Sequence, residues 1–148
     1  MSEFADSIDI AAPAETVFDY LVTAEGMTAW MGEWAQLDPV AGGAFAVDIA
    51  GSPIRGAYLE VDRPRSVVVS WGVAGSDELP PGSSRVSFTL TPIEGGTRID
   101  LHHAGLPDPF RAGHADGWAH FLPRLELAAE TGEPVPADGW IPLARRAS

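Results

Sequence analysis

The chain has 148 residues, 45% of them hydrophobic, which is the size of one ordinary domain with a single buried core. Its 21 acidic and 9 basic residues give a formal charge of -12, which argues against contact with nucleic-acid phosphates or anionic lipid. It contains no cysteine, and this excludes a disulfide framework, a thiolate nucleophile and a metal site with cysteine ligands.

The first 31 residues are predicted to form one strand followed by two short helices. Apolar residues alternate along residues 4–12, and Pro13 then suits the first position of a helix, where its missing N–H needs no partner. Helical spacing continues to residue 22, and a second short helix is expected over residues 24–31. No basic region followed by an apolar run stands at the N-terminus, and no run approaches the roughly 18 apolar residues of a membrane span, so we expect a cytoplasmic protein.

Six further strands are predicted between residues 33 and 106, where alternating apolar residues are separated by residues that favour turns. Gly42, Gly43, Pro64 and Gly95 mark tight turns, and the Pro- and Gly-rich segment 75–83 is expected to be a mobile hairpin loop. The expected strands cover residues 33–38, 44–50, 54–61, 66–74, 84–92 and 97–106. Most follow one another through hairpins, which is typical of an antiparallel sheet.

The hydrophobic period changes from two to about 3.6 after residue 106, which predicts that a strand gives way to a long helix. His114, Trp118, Phe121 and Leu122 recur on one face of this helix, and the concave side of the sheet is their natural target. We therefore predict an α+β helix-grip fold, in which a curved antiparallel sheet of about seven strands surrounds a long C-terminal helix, with two short helices after the first strand. A cavity between sheet and helix is expected to hold a small molecule.

The long helix is expected to bend and to move. Pro123 removes the hydrogen bond to the carbonyl of Ala119 and clashes with it, so we expect a kink between these positions. Gly113 and Gly117 lie close before it and weaken the intrinsic helix propensity. We hypothesise that this helix is a movable lid whose stability comes from packing.

Four motifs along residues 5–130 resemble those of a known family. They are APAETVFDYLVTAEGMTAWMG, PVAGGAF, GAYLEVDRPRSVVVSW, and LHHAGLP followed by HADGW. Together they resemble the activator of Hsp90 ATPase homologue 1-like group of the START/Bet v 1 (SRPBCC) superfamily. The resemblance implies one helix-grip domain over residues 1–130 and a Pro-rich tail over residues 131–148. It implies several functions, because the superfamily includes lipid and polyketide binders, aromatase/cyclases and antibiotic self-resistance proteins.

Aromatic and histidine side chains are expected to line the cavity. His103 shares a strand face with Ile99 and Leu101, which points it inward, while His102 faces the other way. A packing role is the alternative for each candidate, since His103 can be tied to a neighbouring acceptor and the tryptophans can hold their loop in place. The predicted ligand-binding residues are Trp30, Trp34, Tyr58, Trp71, Phe88, His103, His114, Trp118, Phe121 and Leu122.

Catalytic candidates are His103, His114, Tyr58 and Glu60. An inward Glu60 on the same face as Tyr58 would be the strongest catalytic candidate, because a carboxylate in an apolar cavity becomes a better general base or acid, whereas a bulge near the Pro64 turn would turn it outward. The sequence has no GxSxG elbow, phosphate loop or HExxH motif, and no lysine for Schiff-base chemistry. His114 and His120 lie about 120° apart on an ideal helix and converge poorly on one metal, so we expect no metal and no cofactor.

The leading prediction is binding of a hydrophobic, aromatic or polyketide-like small molecule, in a bacterial setting as natural-product sequestration for self-protection. The first alternative is a polyketide cyclase, aromatase or hydrolase that uses the cavity histidine, tyrosine or glutamate groups. The second is a co-chaperone-like interaction module. The tail would then dock on a partner, although folding back or pairing in a homodimer is favoured. The tail residues concerned are Pro136, Trp140, Ile141, Pro142 and Leu143.

Overall fold

The computed structural model describes residues 2–142, which form one seven-stranded sheet and three helices. The helices are α1 (Ala14–Val22), α2 (Ala24–Trp30) and α3 (Asp108–Thr131). The strands are β1 (Ser2–Ile10), β2 (Trp34–Leu37), β3 (Ala44–Ile49), β4 (Ser52–Asp62), β5 (Ser66–Val73), β6 (Ser84–Ile93) and β7 (Gly96–Leu106).

The sheet is antiparallel throughout, and its strands lie in the order β1-β7-β6-β5-β4-β3-β2. Strands β2 to β7 pair with their neighbours in sequence, whereas β1 pairs with β7 at the far edge. The helices α1 and α2 therefore carry the chain from one edge of the sheet to the other. This architecture confirms the predicted α+β helix-grip fold, with two short helices after the first strand and a long C-terminal helix.

The inner face of the sheet and one face of α3 form the core. Every second residue of β6 and β7 is buried, from Val86 to Leu90 and from Thr97 to His103. Burying one large apolar side chain stabilises a protein by about 1.5–3 kcal/mol, so this packing outweighs the weak helix propensity of the glycines in α3. The helix contributes Trp118, Phe121, Leu122, Leu125, Ala128 and Ala129 to the core.

The helix α3 continues through Pro123 as one element of 24 residues. Pro123 therefore ends neither the helix nor the domain, and the bend and the lid movement stay predictions. Across residues 2–142, α3 included, no helix is both long enough and apolar enough to span a bilayer.

The tail folds back on its own chain as far as residue 142. Gly132 ends α3 in a left-handed conformation (φ 73°), which glycine adopts without strain. The backbone N–H of Val135 then donates to the carbonyl of Ala29 in α2 at 2.8 Å. Leu143, which belongs to the tail segment singled out from the sequence, lies outside the described residues.

The two edges of the sheet differ in length and charge. The edge strand β2 has four residues, whereas β1 has nine and exposes Glu3, Asp6 and Asp9. Arg98 of the neighbouring strand β7 pairs with Asp9 at 2.8 Å. The long edge therefore carries three exposed carboxylates, of which Asp9 is paired with an arginine.

Candidate functional site

A cavity of about 380 Å³, called the α3 cavity below, lies between α3 and strands β3 to β5. Among the described residues that line it, none carries a charged side chain. The helix α3 supplies Pro109, Phe110, Gly113, His114, Gly117, Trp118 and Phe121. The sheet, the adjoining loops and the tail supply Met31, Ile49, Ser52, Ile54, Trp71, Val73, Ser76, Trp140 and Pro142.

Four of the residues predicted to contact a ligand line this cavity: Trp71, His114, Trp118 and Phe121. The rings of Trp71 and Trp118 have centroids 5.3 Å apart, and those of Trp71 and His114 are 6.3 Å apart. The ring planes are inclined by 47° between Trp71 and Trp118 and by 72° between Trp71 and His114, so the three rings form an angled wall that an aromatic ligand can contact by its face and its edge.

His114 is tied to the sheet and to its own helix. The indole N–H of Trp71 donates to Nε2 of His114 at 3.2 Å. The Nδ1 of His114 lies 2.9 Å from the carbonyl of Phe110, one turn earlier in α3. Since Nε2 accepts a hydrogen bond, the neutral ring carries its proton on Nδ1 and donates it to that carbonyl.

His103 lies directly behind this wall and is completely buried. The indole N–H of Trp118 donates to its Nδ1 at 3.1 Å, and its Nε2 lies 2.9 Å from the hydroxyl of Ser84. The Ser84 hydroxyl in turn donates to the carbonyl of Trp71 at 2.7 Å. The ring centroids of His103 and His114 are 5.1 Å apart, so the two histidines and two tryptophans form one hydrogen-bonded cluster.

Both imidazoles in this cluster are neutral. Burial, together with repulsion from His114 and His102, lowers the pKa of His103 to about 3. Burial also lowers the pKa of His114, while the hydrogen bond to the Phe110 carbonyl opposes that shift. The cluster therefore stays uncharged at neutral pH.

The Ser84 hydroxyl and Nε2 of His103 lie as close as a catalytic serine and its histidine base. The hydrogen bond between them, however, runs from the histidine to the serine. Trp118 occupies Nδ1 of His103, so the proton of the neutral ring is on Nε2 and points at Ser84. Nucleophilic activation needs the reverse, with Nε2 accepting the hydroxyl proton. The lone pair of His114 is occupied by Trp71 in the same way.

Phe88 and Leu122 are buried in the layer behind the cavity wall, together with His103. The ring of Phe88 packs edge-on against Trp118, with centroids 5.9 Å apart. These residues support the wall without lining the α3 cavity.

Tyr58 and Trp30 are fully buried beneath α1 and do not line the α3 cavity. The Tyr58 hydroxyl donates to the carbonyl of Leu21 at 3.0 Å, and the indole N–H of Trp30 donates to the carbonyl of Tyr20 at 3.0 Å. Burial raises the pKa of Tyr58, which keeps its hydroxyl protonated. The structure thus gives both side chains a partner on α1, in place of the predicted position at the cavity.

Trp34 and Glu60 do not line the α3 cavity. A bulge between Tyr58 and Glu60 shifts the register of β4, so these two residues do not share a face as strict alternation requires. Glu60 is exposed and accepts a hydrogen bond from Ser66. Trp34 is 44% exposed on the edge strand β2, where the Arg55 guanidinium lies over its ring.

Phe110, Met31, Trp140 and Pro142 line the α3 cavity but were not predicted to do so. Phe110 lies four residues before His114, a helical spacing that the sequence displays and that would have revealed it. No comparable signal exists for the tail residues, because a segment without secondary structure has no period.

Within residues 2–142, no group of three or more histidine, aspartate or glutamate residues is arranged to hold a metal ion. Every buried side-chain nitrogen or oxygen in that part of the chain has a hydrogen-bond partner. The ring nitrogens of Trp71, His114 and Trp118 in the cavity wall thus all have hydrogen-bond partners within the protein.

Residues 11–130 match the family model described as activator of Hsp90 ATPase homolog 1-like protein. No curated protein matches the chain. An AHSA1-like protein from Rhizobium etli is 35% identical, with a TM-score of 0.74 over 95% of this chain and 88% of that chain.

Two more distant structures share the fold alone. The Aha1 dimer from Colwellia psychrerythraea is 24% identical, with a TM-score of 0.77 over 89% of this chain and 98% of that chain. DynU16, a protein in the dynemicin biosynthetic locus, is 21% identical, with a TM-score of 0.77 over 90% of this chain and 49% of that chain.

Proposed function

Since the chain belongs to the activator of Hsp90 ATPase homolog 1-like family, we propose that it works by holding a small molecule in the α3 cavity. The ligand is uncharged, flat and aromatic, and the protein leaves it chemically unchanged. One observation carries this proposal: Trp71, His114 and Trp118 form a neutral ring wall whose polar atoms already have partners.

The size and chemistry of the cavity support this ligand class. Its volume of about 380 Å³ falls in the range of roughly 300–1,000 Å³ that small-molecule sites occupy. A charged ligand would lose its hydration without gaining an opposite charge, because no described wall residue is charged. An uncharged aromatic molecule loses little hydration and gains contact with the rings.

A finer form of the proposal is sequestration of a natural product, which would protect the cell that makes it. The locus of DynU16 motivates this form, although that likeness concerns the fold. The occupied lone pairs of His103 and His114 also suit a protein that retains its ligand without reacting with it.

The catalytic alternative depends on His114, because its ring lines the cavity whereas His103 lies behind the wall. A ligand that displaced Trp71 from Nε2 of His114 would free a base for proton transfer. Turnover that disappears in the His114→Gln variant would favour this alternative over simple binding.

The interaction-module alternative depended on an available tail. Residues up to 142 are folded against α2 and α3, and Trp140 and Pro142 line the α3 cavity. Trp140 and Pro142 thus pack within their own chain, which favours the small-molecule proposal, while Ile141 is 44% exposed.

A matched pair of ligands tests the proposal. Anthraquinone and anthraquinone-2-carboxylate have the same rings and differ by one charge, and their binding can be followed by quenching of tryptophan fluorescence. We expect saturable binding of anthraquinone, binding of the carboxylate weaker by at least about tenfold, and recovery of unchanged ligand by mass spectrometry.

Two variants locate the site. Trp71→Phe removes one of the three indoles that line the cavity and should weaken anthraquinone binding and reduce the quenching, whereas Trp34→Phe removes an indole outside the cavity and should leave both intact. Equal affinity for both ligands, or no binding of either, would contradict the proposal, and recovery of an altered compound would establish the enzyme alternative.

A further inference from the structure

The segment 133–142, called the strap below, packs against α2 and α3 and supplies Trp140 and Pro142 to the α3 cavity. We infer that the strap is a wall of the binding site and that Trp140 limits the size of the ligand it admits. This inference rests on the proposed function and assigns the selection of ligand size to one residue.

The first half of the strap is fixed by Arg124. Its guanidinium donates to three backbone carbonyls, those of Trp30 at 3.1 Å, Val135 at 3.0 Å and Pro136 at 2.9 Å. The Arg124 side chain is only 15% exposed, so water competes little for these charge-assisted bonds. Arg124 thereby joins α2, α3 and the strap at one point.

The second half of the strap is held by aromatic contacts. The ring of Trp140 stacks on His120 with centroids 4.8 Å apart and an angle of 10° between the planes. It also meets the edge of Phe121 at 5.1 Å. Gly139 directly precedes it with φ of 80°, which directs the chain toward the helix at a position that favours glycine.

Two glycines of α3 that line the cavity show where Trp140 lies along the helix. A Cβ added at Gly117 would lie 4.0 Å from the Trp140 ring, in ordinary van der Waals contact. A Cβ added at Gly113, one turn earlier, would meet nothing within 4 Å. The Trp140 ring therefore lies beside position 117, whereas position 113 faces open space, so a ligand that extends along α3 from position 113 meets the indole of Trp140.

Because the chain has no cysteine, the cover that Trp140 gives to position 117 can be measured by thiol labelling, without any ligand. The variants Gly117→Cys and Gly113→Cys each place a single thiol on the same helix face, one beneath Trp140 and one in open space. We expect N-ethylmaleimide to label the thiol at position 117 at least about tenfold more slowly than the thiol at position 113. Adding Trp140→Ala should remove this difference, whereas Trp34→Ala should preserve it.

Ligand size gives the second measurement. In the Trp140→Ala variant, the affinity for a four-ring quinone, benz[a]anthracene-7,12-dione, should rise by about tenfold or more relative to the affinity for anthraquinone. The reason is that the indole that limits the length of the ligand is removed. Trp140→Phe should give an intermediate ratio and tests the same point if the alanine variant folds poorly. Trp34→Ala should leave the ratio unchanged.

The two measurements separate the failures. Equal labelling rates at positions 113 and 117 with Trp140 present would show that Trp140 does not cover position 117. A labelling difference would overturn the role of Trp140 in size selection if the ratio of the affinities for the two quinones stays the same in Trp140→Ala. A labelling difference with no quinone bound by any form would overturn the proposed function, and the size role with it.

Discussion

The two buried histidines show how single residues determine the chemistry of the α3 cavity. Each imidazole accepts a hydrogen bond from a tryptophan indole, and each donates its remaining proton to a protein oxygen. Both tautomers are therefore set by the surrounding side chains. The same residue type that serves as a base elsewhere is here part of a rigid, neutral wall.

The pH dependence of stability follows from this neutrality. The unfolded chain takes up protons on histidine near pH 6.5, whereas folded His103 resists protonation until about pH 3. Because the unfolded state then binds more protons, the folded state loses stability as the pH falls below 6.5, by up to about 1.4 kcal/mol per pH unit from His103 alone.

Urea unfolding at pH 7.0, 6.0 and 5.0 measures this dependence. We expect a steep decline for the unaltered protein and a shallower one for His103→Gln, even though that variant is less stable at pH 7. His102→Gln, which alters the neighbouring exposed ring, should preserve the steep decline. Identical slopes for His103→Gln and the unaltered protein would show that His103 does not stay neutral in the folded state.

At the scale of elements, the end of α1 explains why two predicted site residues lie elsewhere. The last carbonyls of a helix have no partner within it. In α1, the carbonyl of Asp19 accepts from Thr23, that of Tyr20 from Trp30, and that of Leu21 from Tyr58. Side chains from α2 and β4 therefore donate hydrogen bonds to the last carbonyls of α1. The polar atoms of Trp30 and Tyr58 are used in these bonds, away from the α3 cavity.

Tyr58→Phe tests the importance of this completion. The substitution keeps the ring and leaves the buried carbonyl of Leu21 without a donor, which should cost about 1–3 kcal/mol of unfolding free energy. Tyr20→Phe removes a comparable bond, to Ala128, at a half-buried position where water can replace it, and should cost less. Denaturant unfolding of both variants checks the order, and equal losses would contradict it.

The elements were predictable from the sequence because period and turn residues act locally. The alternation along β7 predicted that His103 faces inward and His102 outward, and His103 is fully buried while His102 is exposed. Alternation alone left two orientations open for Glu60, and the inserted residue in β4 gives the outward one, because it reverses the parity beyond it. Trp140 had no period to reveal it, since its place depends on the contacts of Arg124 and His120 far along the chain.

At the scale of the whole molecule, the charge of -12 opposes the compact state. Folding brings the excess carboxylates closer together, and their mutual repulsion acts over distances that salt can screen. Ion pairs such as Arg63 with Asp19 and Arg98 with Asp9 compensate only part of this excess.

Salt should therefore stabilise this protein. Raising sodium chloride from 0.02 to 0.5 M should increase the melting temperature by about 2–4 °C, since screening removes more repulsion than attraction. Sodium sulfate acts also through exclusion from the surface, so sodium chloride is the cleaner probe. A melting temperature that falls with sodium chloride would mean that the surface ion pairs dominate.

The carboxylates on the edge strand β1 affect whether two copies of the protein can pair through this edge. An open edge of nine residues can pair with a second copy and extend the sheet, which is a common route to aggregation. Two β1 strands laid side by side would oppose Glu3, Asp6 and Asp9 to the same carboxylates of the other copy. Repulsion between these like charges therefore opposes pairing of two copies through this edge.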